Sequence, residues 1–211
     1  GELTFDIKKR APAKATNTIK FDLNLDSRIQ NYKTFDLKDP YSTSDFSTGI
    51  EIYDSQGNKH LISMFFNKIA DGTWQYRGLV DGKEVSGGKE GELSEVVAGK
   101  LTFTVDGKLN TEEVTKSALN FKGGALQNQQ VKFDFGNSIT TDKGDGIDGT
   151  KQYGKESDLI SWHQDGSAAG TITNLSFNDE GVLTALYSNG ETADLSQIAL
   201  TKFENPEAMF K

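Results

Sequence analysis

Apolar and polar residues alternate along several stretches of the chain. A period of two places every second side chain on one face of a β-strand, so each stretch predicts a strand with one buried and one solvated face. The positions expected to share a face are Leu3/Phe5/Ile7, Phe21/Leu23/Leu25, Leu101/Phe103/Val105, Val131/Phe133/Phe135 and Val182/Thr184/Leu186.

Glycine-centred turns separate these stretches. Each turn combines Gly with Asn, Asp or Ser, residues that accept the backbone angles of tight hairpins. They lie at 54–58 (DSQGN), 80–83 (VDGK), 105–108 (VDGK), 178–181 (NDEG) and 187–190 (YSNG). Turns of this kind between strands predict antiparallel hairpins. The predicted fold class is all-β, an antiparallel hairpin-rich β-barrel or sandwich. One short helical turn is expected at 110–118 (NTEEVTKSA), from its Asn/Thr start and early glutamates.

Two polar segments interrupt the strand pattern. Residues 8–15 (KKRAPAKA) combine charge with Ala and Pro, and residues 140–154 (TTDKGDGIDGTKQYG) are rich in Gly and Asp. They predict an outer β domain inserted into a second small β domain. The predicted boundaries are 16–150 for the outer domain, 1–11 and 155–211 for the discontinuous domain, and 12–15 and 151–157 for the seams.

Composition excludes several classes of function. The chain of 211 residues has 23 basic and 31 acidic residues, a net charge of -8, which disfavours binding to nucleic acid or to anionic membranes. No window approaches the ~20 apolar residues of a membrane span, and the N-terminal GELTFDIKKR lacks the order of a secretory signal. The absence of cysteine excludes disulfides, thiolate nucleophiles and Cys-ligated metals.

The stretch YDSQGNKH at 53–60 contains one of the two histidines and permits two interpretations. It could belong to a site, or it could be a hairpin corner. The corner is favoured, because Gly57 and Asn58 can turn the chain between two apolar runs. In that interpretation Tyr53 packs and His60 is incidental.

Acidic residues make one loop the best candidate for a metal site. Asp142, Asp145 and Asp148 recur at every third position among glycines, and calcium takes oxygen ligands from such loops. The spacing does not match an EF-hand, and a single copy does not match a calcium-binding β-helix repeat. A solvated crossover loop is therefore favoured over a calcium site.

Other candidate residues have simpler interpretations. Ser161 and His163, with Asp158 or Asp165 nearby, lack the elbow and oxyanion loop of a hydrolase, and Trp162 is expected to pack at a domain junction. The pairs Glu112–Glu113 and Asp179–Glu180 are expected to be solvated with ordinary pKa values. Trp74 and Tyr76 could form an exposed carbohydrate platform, but packing is favoured. No catalytic, cofactor-binding or metal residue is predicted, no cofactor, and no enzymatic activity.

Three segments are similar to bacterial flagellar hook proteins. Residues 46–76 (FSTGIEIYDSQGNKHLISMFFNKIADGTWQY) resemble the outer-domain segment in which a V-x-V-Y-D-S-x-G-N-x-H hairpin precedes an aromatic strand. Residues 170–209, with DEGVLTALYSNG and LSQIALTKFENP, resemble the return into the inner domain, and residues 14–28 resemble the start of the outer domain. Ala185 and Lys202 depart from the family pattern, as does the ending at 207–209.

The resemblance implies a structural subunit of the flagellar hook, the extracellular universal joint that transmits torque to the filament. It implies contacts with copies of itself in the hook tube and with the hook cap and hook–filament junction proteins. It also implies export through the flagellar apparatus without a cleaved signal peptide. Terminal helical segments of the family are missing from the chain, so we expect a monomeric fragment. The alternative is a carbohydrate- or calcium-dependent adhesive β-sandwich module.

Overall fold

The computed structural model describes residues 10–117 and 119–198, and it confirms the all-β class. The predicted strand at Leu3/Phe5/Ile7 lies outside the described residues. The strands are β1 Thr18–Asn24, β2 Phe46–Tyr53, β3 Lys59–Ala70, β4 Thr73–Asp81, β5 Leu93–Phe103, β6 Leu109–Ser117, β7 Lys132–Asp134, β8 Asp158–Gln164, β9 Ile172–Phe177, β10 Val182–Tyr187 and β11 Thr192–Gln197, and helix α1 is Pro40–Thr43.

The strands of the described residues form three sheets. Five consecutive strands make an antiparallel meander in the order β2-β3-β4-β5-β6. A second sheet has the order β7-β1-β8, in which β1 is antiparallel to β8 but parallel to β7. The third sheet, β11-β10-β9, is antiparallel. The parallel pairing of β1 with β7 departs from the predicted antiparallel pattern.

The chain divides into two compact units. The smaller unit contains the described residues 10–12 and 169–198, and the larger contains 13–168 apart from residue 118. The first boundary falls within the seam predicted at 12–15. The predicted second boundary, before residue 155, was wrong. Residues 155–168 belong to the larger unit, where β8 pairs with β1. The seam predicted at 151–157 also lies inside the larger unit.

The segment after residue 150 is held by β1 and the residues that follow it. The backbone N–H of Lys151 donates to the carbonyl of Leu23 (2.9 Å), and that of Leu25 donates to the carbonyl of Lys151 (2.9 Å). The N–H of Ser27 donates to the carbonyl of Tyr153 at 3.0 Å. Main-chain pairing of this kind continues the sheet and leaves no free linker at this position.

One core fills the space between the two sheets of the larger unit. Phe135, which follows β7, is fully buried and contacts aromatic rings from both sheets. Its ring centroid lies 4.8 Å from Phe21 of β1, 4.7 Å from Tyr76 of β4 and 6.2 Å from Phe66 of β3. Burial of each large apolar side chain contributes about 1.5–3 kcal/mol, so these rings are a major source of stability.

The alternation of apolar residues predicted most of this core correctly. The face Phe21/Leu23/Leu25 and the face Val131/Phe133/Phe135 are buried, as are Leu101 and Phe103. Val105 is fully exposed, because β5 ends at Phe103 and Val105 lies in the following turn.

The face predicted for β10 was wrong by one residue. Leu183, Ala185 and Tyr187 are buried, the last two in the core of the smaller unit, whereas Leu186 is exposed. A shift of one residue moves every side chain of a strand to the opposite face. Thr184 lies on the outer face, where its hydroxyl donates to Asp194 at 2.8 Å.

The short helix predicted at 110–118 was also wrong, because the described part of this segment lies in β6. Its residues pair with β5 from Leu109 to Ser117, and this tertiary pairing overrides the weak local preference for a helix. The short helix α1 lies elsewhere. Pro40 occupies its first turn, and the Asp39 carboxylate accepts a hydrogen bond from the N–H of Ser42 at 3.4 Å.

Four of the five predicted turns are confirmed. Gly57, Gly107, Gly181 and Gly190 all have positive φ and close hairpins between consecutive strands. The turn predicted at 80–83 is instead the start of a longer connection at 82–92 between β4 and β5. This connection is anchored by a bridge between Val85 and Phe121, a contact that no local pattern predicts.

The first prediction concerns Gly99 on β5. A Cβ atom there would lie 2.1 Å from the carbonyl oxygen of Glu113 and 2.3 Å from the Tyr76 hydroxyl, so the strands would have to separate. Gly99→Ala should lower the free energy of unfolding by about 3 kcal/mol. Gly154→Ala is the control, because its nearest contacts would be 3.7–3.9 Å, and it should change stability by less than about 0.5 kcal/mol. Urea unfolding measures both; equal effects would contradict the prediction.

Candidate functional site

The corner at 53–60 is organised by one buried carboxylate. Asp54 is fully buried and accepts hydrogen bonds from the N–H of Gln56 (2.8 Å), the N–H of Asn58 (2.9 Å) and the side-chain amide of Asn58 (2.9 Å). Burial acts to raise the pKa of Asp54, but the hydrogen bonds outweigh it and leave the pKa below its ordinary value. The corner is therefore fixed by side-chain chemistry as well as by Gly57.

The interpretation of His60 as incidental was wrong. Its Nδ1 lies 2.8 Å from a carboxylate oxygen of Glu84, and its Nε2 lies 3.2 Å from Asp54. The imidazole also stacks on Phe121, with ring centroids 3.7 Å apart and planes 9° apart. Glu84 and Phe121 come from connections distant in sequence, so only the folded chain brings this group together.

The corner also joins the larger unit's two sheets. The N–H of Tyr53 donates to the Thr16 hydroxyl (2.9 Å), and the N–H of Thr16 donates to the carbonyl of Tyr53 (2.9 Å). The side-chain amide of Gln129 donates to the carbonyls of both residues, at 2.8 and 3.0 Å. The stretch that suggested a site is thus a structural junction.

The three aspartates of the candidate calcium loop have separate partners. Asp142 accepts from the hydroxyl of Ser138 at 2.6 Å, and this hydrogen bond lowers the pKa of Asp142. Asp145 accepts from the N–H of Ile147 at 3.0 Å, and Asp148 accepts from the side-chain amide of Asn137 at 3.1 Å. Within 10–117 and 119–198, no three acidic or histidine side chains come together in a way that could hold a metal ion.

The β8 residues suggested for hydrolysis lie on an open surface. Ser161 and His163 are exposed and line a cleft of about 410 Å³ together with Lys20 and Asp22 of β1. Asp165 instead accepts the N–H groups of Asn17 (2.7 Å) and Thr18 (2.9 Å). This carboxylate therefore joins the residue after β8 to the start of β1.

Trp162 is partly buried and packs against the core of the larger unit. This contact bears out its expected role in packing. Its expected position at a domain junction stays a prediction.

The favoured packing role of Trp74 and Tyr76 is confirmed, and the alternative of an exposed carbohydrate platform is contradicted. Trp74 and Tyr76 are fully buried on the core side of the five-stranded sheet. The indole N–H of Trp74 donates to the side chain of Gln152 (2.7 Å), and the Tyr76 hydroxyl donates to the carbonyl of Glu113 (3.2 Å). Burial raises the pKa of Tyr76 above its ordinary value. Neither ring can stack on a sugar.

One of the two acidic pairs departs from the expectation of ordinary solvated carboxylates. Burial raises the pKa of Glu112 to about 7, although its Oε2 accepts the N–H of Phe135 at 2.9 Å. Its neighbour Glu113 is exposed, as are Asp179 and Glu180. The position of Glu112 within a strand could have indicated its partial burial. The wrong helix prediction at 110–118 obscured the strand alternation that would have shown it.

The outer face of the five-stranded sheet is partly covered by the connection at 25–45. Phe65 points to this face and packs against Phe35 and Tyr41, with ring centroids 6.0 and 5.0 Å away. Lys68 extends from the same strand, β3, and its ammonium group donates to the carbonyls of Ser27 (2.7 Å) and Ile29 (2.8 Å). A buried lysine thus holds the connection against β3.

The same face carries exposed apolar and charged side chains. Tyr41, Leu37 and Leu61 are 67%, 43% and 57% exposed. A neighbouring cleft of about 640 Å³ contains the ion pair between Arg77 and Glu95, whose closest atoms are 2.6 Å apart. Mixed surfaces of this kind are typical of protein–protein contacts that are not permanently buried.

The second prediction tests the His60 junction. His60→Ala removes the stack on Phe121 and one partner of buried Asp54, so the free energy of unfolding should fall by about 2–4 kcal/mol. His163→Ala is the matched control, because this exposed histidine should contribute less than about 0.5 kcal/mol. Chemical unfolding of both variants is the measurement. A loss below about 1 kcal/mol for His60→Ala would show that the junction is not structural.

None of the helical segments in the described part of the chain is long and apolar enough to cross a membrane.

Comparisons with known proteins connect this architecture to a family. Residues 24–167 match the model described as flagellar basal body protein FlaE D2 domain. The flagellar hook protein FlgE of Helicobacter pylori is 31% identical over 160 residues, covering 75% of this chain and 21% of the relative. FlgE of Treponema pallidum is 27% identical over 231 aligned residues, covering 100% of this chain and 50% of the relative.

A solved structure, that of Helicobacter pylori flagellar hook protein FlgE2, aligns with a TM-score of 0.48 and 18% identity, over 79% of this chain and 34% of that chain. This chain spans half or less of the length of the two curated relatives above. The family model covers more than half of the chain and confirms the resemblance seen in the sequence. The chain belongs to the flagellar basal body protein FlaE D2 domain family.

Proposed function

We propose that this chain is the outer part of a flagellar hook subunit, and that it acts by self-assembly in the extracellular joint that transmits torque from motor to filament. The family match over residues 24–167 carries the proposal. The role is structural rather than catalytic. The adhesive alternative gains no support, because Trp74 and Tyr76 are buried and the loop aspartates have separate partners.

The larger unit is built to carry load as one stiff body. Its two sheets share the aromatic core around Phe135, and its corners are tied by buried polar groups such as Asp54 and Lys68. Close packing resists deformation, because any relative movement of the sheets would open voids between the rings. A force applied at one side of this unit is therefore passed on instead of being absorbed.

The exterior suits contacts that slip and re-form. Exposed ion pairs such as Lys59–Glu51 (2.9 Å) and Lys108–Asp106 (2.8 Å) cover the surface. Such pairs contribute little, typically about 0–1 kcal/mol, since water replaces either partner easily. Neighbouring subunits of a bent, rotating tube must slide against one another, and hydrated polar contacts permit this at low energetic cost.

The proposal extends to partners and to the route of assembly. The parent protein contacts copies of itself in the hook tube, and it meets the hook cap and hook–filament junction proteins at the tube's ends. It reaches the exterior through the flagellar export apparatus without a cleaved signal peptide. No cofactor takes part.

The third prediction tests the function in the source bacterium. An in-frame deletion of the codons for residues 24–167 in the parent gene should abolish or severely reduce swimming and alter the hooks seen by electron microscopy. The wild-type gene supplied in trans should restore both, and the Gly154→Ala gene should do the same as a matched control. Normal hooks and normal swimming in the deletion strain would contradict the proposal.

The fourth prediction tests stiffness within the larger unit. Strands β3, β4 and β5 occupy the interior of the five-stranded sheet, so their amide hydrogens should exchange slowly and with similar protection. Hydrogen exchange followed by mass spectrometry measures this. Fast exchange within these central hairpins would show that the body itself deforms.

A further inference from the structure

A loop segment lies along the edge of the five-stranded sheet. β6 is the last strand of this sheet, and residues 137–146, here called the strap, follow its first half. The N–H of Ile139 donates to the carbonyl of Leu109 (3.1 Å), and the N–H of Thr140 donates to the carbonyl of Asn110 (2.8 Å). In return, the N–H of Leu109 donates to the carbonyl of Gly146 at 3.0 Å. The strap thus occupies hydrogen-bonding groups that an edge strand would otherwise present to water or to another chain.

Side chains reinforce this contact. The hydroxyl of Thr140 donates to the side-chain carbonyl of Asn110 (2.8 Å), and the hydroxyl of Thr141 accepts the backbone N–H of Glu112 (3.2 Å). Within the strap, Asp142 accepts from both the N–H (3.1 Å) and the hydroxyl (2.6 Å) of Ser138. This pair of bonds fixes the Asp142 carboxylate within the strap, where it interacts with the side chain of Glu112 on β6.

The side chain of Glu112 is half-buried and links β6 to the segment that follows β7. Its Oε2 accepts the N–H of Phe135, the core residue that follows β7. The charged or titratable groups that face it are Asp142 of the strap, Asp134 and Lys132 of β7, and Tyr76 of β4. Lys132 favours the ionised form of Glu112, but it also pairs with Asp134 at 3.4 Å.

We propose that the strap is a proton-sensitive cover of the β6 edge, which protonated Glu112 holds closed and ionised Glu112 loosens. A neutral carboxyl group can accept the N–H of Phe135 with one oxygen and donate its proton to Asp142 with the other. After ionisation, the half-buried Glu112 carboxylate and the Asp142 carboxylate repel each other. Such a switch goes beyond the proposed structural role, because it makes one edge of the larger unit respond to pH.

The direction of the effect follows from linkage. In the closed strap, burial raises the pKa of Glu112 from 4.5 to about 7. A group whose pKa is raised in the closed state stabilises that state fully below its ordinary pKa, and this contribution is lost as the pH rises through the higher value. The strap should therefore be most firmly closed below about pH 5 and loosest above about pH 7.

Opening would expose the outward N–H and C=O groups of residues 109–112. An unpaired strand edge is the surface to which an extended segment of another chain can add by main-chain hydrogen bonds. The strap therefore controls whether this edge can accept a strand.

The fifth prediction measures strap opening by amide exchange. In NMR spectra recorded between pH 5 and pH 8, and after correction for the intrinsic pH dependence of exchange, the Thr140 amide should show an opening constant that rises by about 10- to 100-fold. Glu112→Gln keeps the acceptor for Phe135 and a donor for Asp142, so its opening constant should stay near the low-pH wild-type value. Glu113→Gln, at the exposed neighbouring position, should retain the wild-type pH dependence.

Two further measurements keep the test independent of any one variant. The side-chain carbonyl shift of Glu112 in the unmodified protein should titrate near pH 7, and Asp142→Asn should move that midpoint downward by removing the facing charge. Protection of the Met64 amide in β3 reports whether the rest of the sheet stays folded. Equal pH dependence in wild type and Glu112→Gln, or titration of Glu112 near its ordinary pKa, would overturn the proposal.

Discussion

The packing of two sheets around one aromatic core is the constraint on which the larger unit depends. Phe135 contacts rings from β1, β3 and β4, so the same side chain stabilises both sheets. The five-stranded meander could not bury its inner face alone, and the three-stranded sheet is too small to form a core by itself. Each sheet therefore covers the inner, apolar face of the other. The loops, corners and edges are positioned by where this shared core places the strand ends.

Buried polar groups extend this constraint to the connections. Asp54 has several hydrogen-bond partners, including His60, and Lys68 has two backbone carbonyls. Removing a charge from water is costly, so such groups are stable only when all partners are in place. The consequence is specificity, because an alternative arrangement of the loops would leave a buried charge without a partner. A mostly irregular connection such as 25–45 can therefore belong to a stiff body.

The mechanical role and the proton-sensitive edge proposed above both follow from this architecture. A rigid interior transmits force, and a surface of weak, exposed ion pairs lets neighbouring copies shift their contacts. Stiffness does not extend to the strap in this proposal, because its closure depends on a carboxyl group, that of Glu112, whose pKa lies at about 7. In the proposed mechanism, the molecule thus combines a fixed core with an edge whose surface changes with pH.

The sequence by itself determined the strand-rich class, most hairpin turns and the family, because alternation and glycine turns are local signals that survive in any tertiary context. The tertiary structure decided the rest. The helix predicted at 110–118 became β6 through pairing with β5, and residues 155–168 joined the larger unit through pairing with β1. His60 and Glu112 gained their roles from residues far away in the chain. The burial of a side chain and its distance to its partners depend on the whole fold, and no local sequence pattern predicts them.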